Sequence, residues 1–171
     1  MKNIILVGFM GTGKTETAKI LARELGRKYV SIDDIIEKRE NRSITDIFAA
    51  CGEKYFRDLE KEIIREISLE IDQVIDAGGG AVLDSDNMKN LSENGKIICL
   101  WSDPEEIYRR VKSSGHRPLL EARDPLKRIT ELLEERRSFY EKADIQVDTT
   151  DMSIDDTVNK IKGILNCEKN I

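Results

Sequence analysis

Short, wholly apolar runs alternate with stretches of helical periodicity from one end of the chain to the other. Ile4-Ile5-Leu6-Val7 has no polar position, the pattern of a strand covered on both faces. Ala18, Leu21, Ala22 and Leu25 then recur at helical spacing. Tyr29 to Ile32 reads as a second strand, and a helical region follows over about 33–70, broken near Asn41-Arg42 and Cys51-Gly52. Ser43 and Asp46 form a capping box for its second piece. Val74-Ile75-Asp76-Ala77 reads as a third strand running into Gly78-Gly79-Gly80, and Ile97 to Trp101 as a fourth. Asp103-Pro104 opens a helix, the charged stretch 112–124 reads as a loop, and Asp124-Pro125 opens a long helix to about 142. Ile145-Gln146-Val147 is a fifth strand; Ser153 to Asp156 cap a last helix whose Val158, Ile161 and Leu165 share one face.

Five short strands separated by helices predict an α/β fold, a parallel sheet with helices on both faces. No repeat, low-complexity tract or linker divides the chain, so residues 1–171 are expected to form one domain. In such sheets ligands bind beyond the carboxyl ends of the strands. The turns at Gly8, Asp33 and Gly78 are therefore expected to converge.

Composition narrows the function. With 39% apolar and 36% charged residues, the chain suits a soluble globular protein. Aromatics at 5% and a net charge of −5 speak against a nucleic-acid surface. Basic residues nevertheless cluster, at Arg109, Arg110, Lys112 and Arg117 and at Arg136-Arg137, as islands suited to a small anion. Cys51, Cys99 and Cys167 lack metal or disulfide spacing and read as reduced thiols. His116, the only histidine, excludes a multi-histidine metal site. No apolar run approaches the roughly 18 residues of a membrane span, and the apolar start has no cleavage site. The expectation is a cytoplasmic protein, monomeric for want of a long exposed apolar helix face.

Gly8-Phe9-Met10-Gly11-Thr12-Gly13-Lys14-Thr15, between a strand and a helix, matches the phosphate-binding P-loop. Glycines let backbone N–H groups curl around phosphates, and the helix N-terminus adds a positive dipole end. Lys14 reaches the β- and γ-phosphates and the Thr15 hydroxyl ligates Mg²⁺, so ATP with Mg²⁺ is the expected ligand. Asp76-Ala77-Gly78-Gly79 matches a GTPase DxxG, but no Asn-Lys-x-Asp guanine reader ends a late strand. The fold class sharpens to a three-layer P-loop fold like that of nucleoside-monophosphate kinases.

Asp33, Phe56-Arg57-x-x-Glu60, Gly78-Gly79-Gly80, Arg117-Pro118-Leu119-Leu120 and Arg136-x3-Tyr140 follow in order. With the P-loop at residue 8, they make the chain resemble the bacterial shikimate kinases along nearly its whole length. The resemblance implies transfer of the ATP γ-phosphate to the 3-hydroxyl of shikimate, in the chorismate route to aromatic amino acids. It also implies an acceptor-binding helical insertion over about 33–60 and a lid over about 112–124. By the same resemblance Asp33, Lys14 and Arg117 are catalytic; Gly11, Thr12, Gly13, Lys14, Thr15, Glu16, Arg110 and Arg117 bind the nucleotide; and Asp33, Arg57, Gly79, Gly80 and Arg136 bind shikimate, with Thr15 on the metal.

The chemistry of the residues suits those roles, since arginine donates two parallel hydrogen bonds to a planar carboxylate. Each residue also has a plainer reading. Arg57 could simply pair with Glu53 or Glu60 along a helix. Asp33 or Asp34 could be an N-cap, and Gly79-Gly80 a tight turn. Arg110 and Arg117 could be solvated charges. Arg136 is different, because its helical neighbours Leu132, Leu133, Phe139 and Tyr140 offer it no acid. Two positions depart from the family pattern. Ser31 stands where many members carry a metal-side acid, and Asp151-Met152-Ser153-Ile154 replaces an arginine and a proline beside the adenine, which predicts apolar or backbone contacts there. A gluconate or nucleotide kinase of the same architecture, and a nucleotide-binding regulator without catalysis, are the alternatives.

Overall fold

The computed structural model describes residues 2–112 and 123–168. Its strands are β1 (Asn3–Val7), β2 (Lys28–Ser31), β3 (Gln73–Asp76), β4 (Gly95–Trp101) and β5 (Ile145–Asp148). They form one sheet in the order β2-β3-β1-β4-β5, and every pairing is parallel. The helices are α1 (Lys14–Leu25), α2 (Ile32–Glu40), α3 (Ile44–Ile67), α4 (Ser85–Glu93), α5 (Pro104–Val111), α6 (Pro125–Tyr140) and α7 (Ile154–Glu168).

The middles of the central strands are apolar because alternate residues enter two separate cores. Ile4, Leu6, Val74, Ile98 and Leu100 pack with Ala18 and Leu21 of α1 and Val158 and Ile161 of α7. Ile5, Val7, Ile75, Ile97 and Cys99 face the other way, against Ile36, Ile63, Ile64, Leu91, Ile107 and Leu133 of α2 to α6. Each fully buried isoleucine or leucine contributes about 1.5–3 kcal/mol, so both layers are anchored from the strands outward. Among the described residues no helix is long and apolar enough to cross a membrane.

Local signals set the boundaries. Ser43 accepts the Asp46 N–H and Ser153 accepts the Asp156 N–H, both as expected. Gly52, at φ 80° and ψ 171°, kinks α3 where a break was predicted. Apart from shifts of a few residues at element ends, two differences from the sequence reading have a clear local cause. The second strand ends at Ser31, and Ile32 opens α2, because the Ser31 hydroxyl accepts the Asp34 N–H and caps the helix. Ser31, not Asp34, is thus the cap. Residues 81–93, to which no element was assigned, form a short 3-10 turn and then α4, capped by Asp84 accepting from Asp86 and Asn87.

Candidate active site

β1 sits in the middle of the sheet, with β3 and β4 on either side and chain connections leaving in opposite directions. The crevice of such a sheet lies at this reversal, above the carboxyl ends. The Gly8 loop fills it. Gly8 has φ 139°, and a Cβ there would lie 2.2 Å from the Leu100 carbonyl oxygen of β4, so no side chain fits. Lys14, buried, turns back to donate to the Phe9 carbonyl at 2.8 Å, and the buried Thr12 hydroxyl donates to the same oxygen at 2.8 Å. Gly13 caps α1 with φ 88°, leaving the first N–H groups of the helix directed at the crevice. The Glu16 side chain instead points to solvent beside Lys19, so its contribution to a nucleotide site is its backbone N–H.

Arg110 is no loose surface charge. Its guanidinium donates to the carbonyls of Thr149 at 2.6 Å and Gly11 at 3.3 Å, and to Glu106 at 2.6 Å, tying α5 to the loop and to the end of β5. A cleft of about 440 Å³ opens beside it, lined by Gly13, Arg109, Thr150, Met152 and Ile154 among others. Met152 and Ile154 give this cleft apolar lining.

Across the crevice, two arginines approach the glycine turn from different helices. Arg57 of α3 donates to both oxygens of buried Glu60, at 3.0 and 2.9 Å, and to Glu53 at 3.3 Å. Burial pushes the Glu60 carboxyl above its ordinary range, although Arg57 pulls the other way; burial also opposes the Arg57 cation, yet Glu60 and Glu53 hold it charged. The helix pairing foreseen as the plain alternative is therefore present. It leaves the guanidinium against the turn, because a Cβ at Gly80 would lie 2.2 Å from Arg57 Nη1. Gly80 has an ordinary φ of −106°; it is glycine for room. Arg136 of α6 lies over the Phe9 ring at 5.7 Å and makes no ion pair among the described residues. Between the two arginines stands Tyr140, 1% exposed, whose hydroxyl donates to the Gly79 carbonyl at 2.8 Å. Burial pushes that hydroxyl up to about 12. The sequence reading quoted Tyr140 in a motif without giving it a task.

Asp33 lies at the first turn of α2, its carboxylate close to Gly78. Its surface is open to the water of the cleft, yet the cleft walls surround it on most sides. That desolvation, with the nearby Asp76 charge, raises its pKa to about 6 against the pull of Lys14. Asp76, at the end of β3, accepts the Thr15 hydroxyl at 2.6 Å. In the sequence it is the acid of the Asp76-Ala77-Gly78-Gly79 match to a GTPase DxxG, with no site role assigned to it. Among the described residues no group of three or more histidine, cysteine, aspartate or glutamate side chains is arranged to hold a metal. A hydroxyl, a carboxylate and phosphate oxygens suit magnesium, which keeps waters and takes few protein ligands. Arg117, His116 and the central part of the expected lid lie outside the described residues.

The fold and this crevice define a P-loop kinase for a small acceptor. The model of the shikimate kinase family matches residues 10–166. The shikimate kinase of Thermodesulfovibrio yellowstonii is 45% identical over 161 residues, 94% of this chain and 93% of its own. That of Persephonella marina is 45% identical over 163 residues, 95% and 98% of the two chains. The solved shikimate kinase from Acinetobacter baumannii in complex with shikimate superposes with a TM-score of 0.92 at 31% identity, covering 99% of this chain and 95% of its own. The chain belongs to the shikimate kinase family, and is an ATP-dependent kinase that works with Mg²⁺.

Proposed function

We propose that the protein transfers the γ-phosphate of ATP to the 3-hydroxyl of shikimate within one kinase domain. The observation that carries this reading is the crevice itself, with a phosphate loop on one wall and, on the other, two arginines, one of which makes no ion pair among the described residues. An acceptor with a planar carboxylate and several hydroxyls complements that wall, since Arg57 and Arg136 supply forked donors while Gly79 and Gly80 offer backbone N–H groups to the hydroxyls.

Each residue then has a step. Backbone N–H groups of Gly11 to Glu16 and the end of α1 hold the phosphates, and Lys14 leaves the Phe9 carbonyl to meet the β- and γ-oxygens. Thr15 would help hold magnesium, which would supply charge neutralisation for the transferred phosphoryl group. Asp33 receives the proton of the attacking hydroxyl, a task matched to a pKa of about 6. Arg110 holds α5 against the loop, beside the adenine cleft. Arg117, by its place in the sequence, closes over the γ-phosphate, where a positive charge stabilises the transition state and helps exclude water. The acidic charge of −5 supports a cytoplasmic monomer that binds neither nucleic acid nor membrane. A coupled assay of ADP release tests the reading. Turnover should depend on shikimate and be absent with gluconate or a nucleoside monophosphate; turnover only with one of the latter would overturn it.

A further inference from the structure

Tyr140 has no task in the proposed reaction, yet its hydroxyl ends on the glycine turn. It is the last residue of α6, and its ring belongs to the core that includes Phe9, Leu133 and Cys99. A phenylalanine would serve that packing. The hydroxyl adds one directed bond, donated to the Gly79 carbonyl at 2.8 Å. At 1% exposure, bulk water does not compete for it.

That bond fixes a peptide plane. The Gly79–Gly80 peptide is trans, so its C=O and N–H point to opposite sides. With the carbonyl held by Tyr140, the Gly80 N–H is turned away from the tyrosine. Gly80 is buried, and among the described residues its N–H donates to no acceptor. Buried backbone N–H groups are normally paired, so this donor is left for a group outside the described chain. Two adjacent glycines have no side chains to hold such an orientation, and their neighbours must do it. Gly79 is wedged accordingly: a Cβ there would lie 3.1 Å from the Gly8 carbonyl oxygen and 3.8 Å from the Tyr140 hydroxyl. Arg136, one turn earlier on α6, has its charge beside the same hydroxyl, so one helix anchors both the arginine and the turn.

We propose that Tyr140 is a positioning residue, whose hydroxyl sets the Gly79–Gly80 peptide so that the Gly80 N–H is presented to a ring hydroxyl of the acceptor. Preference for a hydroxylated ring over any other small carboxylate then depends on a tyrosine that acts only through the peptide it holds. This deepens the reading of the crevice as a shikimate site and rests on it.

Tyr140→Phe keeps the ring and deletes the donor. Calorimetry should show shikimate bound about 2- to 10-fold more weakly, the range for one lost hydrogen bond, with ADP affinity unchanged. In turnover, KM for shikimate should rise while KM for ATP holds. The deciding comparison uses cyclohexenecarboxylate, which keeps the ring and carboxylate but has no hydroxyl. Its inhibition constant against shikimate should be the same in the native protein and the variant, because it makes no use of the Gly80 N–H. Equal losses for the two acids would place the effect on Arg136 or on the fold and overturn the proposal, as would undiminished shikimate affinity in the variant. If Tyr140→Phe does not fold, the native protein decides. In proton–nitrogen correlation spectra its Gly80 amide should move on addition of shikimate and stay in place with cyclohexenecarboxylate; an amide unmoved by bound shikimate would overturn the proposal. Failure of the native protein to bind shikimate at all would instead overturn the reading of the crevice.

Discussion

Asp33 has the two properties a proton acceptor needs, access to the crevice and a raised pKa. Burial contributes most to the shift; Asp76, Asp34 and Glu37 add to it, and Lys14 opposes them. Only the ionised carboxylate accepts a proton, so kcat/KM should fall as pH drops through about 6 in the free enzyme. Replacing Asp76 by Asn removes a like charge and should move that limb to lower pH. A pH–rate profile checks both statements, and a limb near 4 in the native protein would contradict them. At this scale the sequence was partly legible. Arg136 stood out because no helical neighbour could pair with it, and the structure leaves it without an ion pair among the described residues. Asp76 and Tyr140 appear in the sequence only as motif members without a task, because each acts through a contact far along the chain: Thr15 is 61 residues from Asp76, and Gly79 is 61 residues from Tyr140. Helical or strand spacing carries no trace of such pairs.

Elements that bury a face were readable, and elements that do not were missed. The three central strands follow from apolar runs, since strands between two helix layers have no wet side; the edge strand β5 alternates, with Gln146 and Asp148 exposed. Helix α4 escaped because Ser85 to Glu93 contains only Met88 and Leu91 as apolar residues; it is held by the Asp84 cap and a narrow seam. Ile32 was drawn into β2 by its apolarity, whereas the Ser31 cap starts the helix one residue earlier in the chain. The junction of β1 with the phosphate loop is the least tolerant point. At Gly8 an alanine would combine φ 139° with a contact of 2.2 Å to the Leu100 carbonyl oxygen. Strained backbone of this kind costs about 1–3 kcal/mol before any clash is counted. Gly8→Ala should therefore lower the melting temperature by about 2–10 °C and abolish detectable ADP binding. Unchanged melting and ADP affinity would show that the loop is not built as described.

For the whole molecule, sheet order does what no single motif can. Placing β1 between β3 and β4 brings together the carboxyl ends of strands that are far apart in the chain, so that the loop after β1, the Asp33 turn after β2 and the glycine turn after β3 share one crevice. Helices α3 and α6 then bring in Arg57 and Arg136 from opposite directions, with Tyr140 between them. The convergence follows from the parallel sheet and the residues of the facing wall from the family resemblance, whereas the helix packing that holds them is not legible in spacing alone.

The central claim is that this wall reads an acceptor carboxylate independently of the nucleotide. Arg57→Ala is a poor probe of it, since it strands the buried Glu60. Arg136→Ala strands no acid among the described residues. Separate calorimetric titrations of Arg136→Ala with shikimate and with ADP give the most direct test. Loss of a charged, forked hydrogen bond costs about 1.5–3 kcal/mol, so shikimate affinity should fall roughly 10- to 100-fold while ADP affinity stays at its native value. Equal losses for both ligands, or undiminished shikimate binding, would contradict the account.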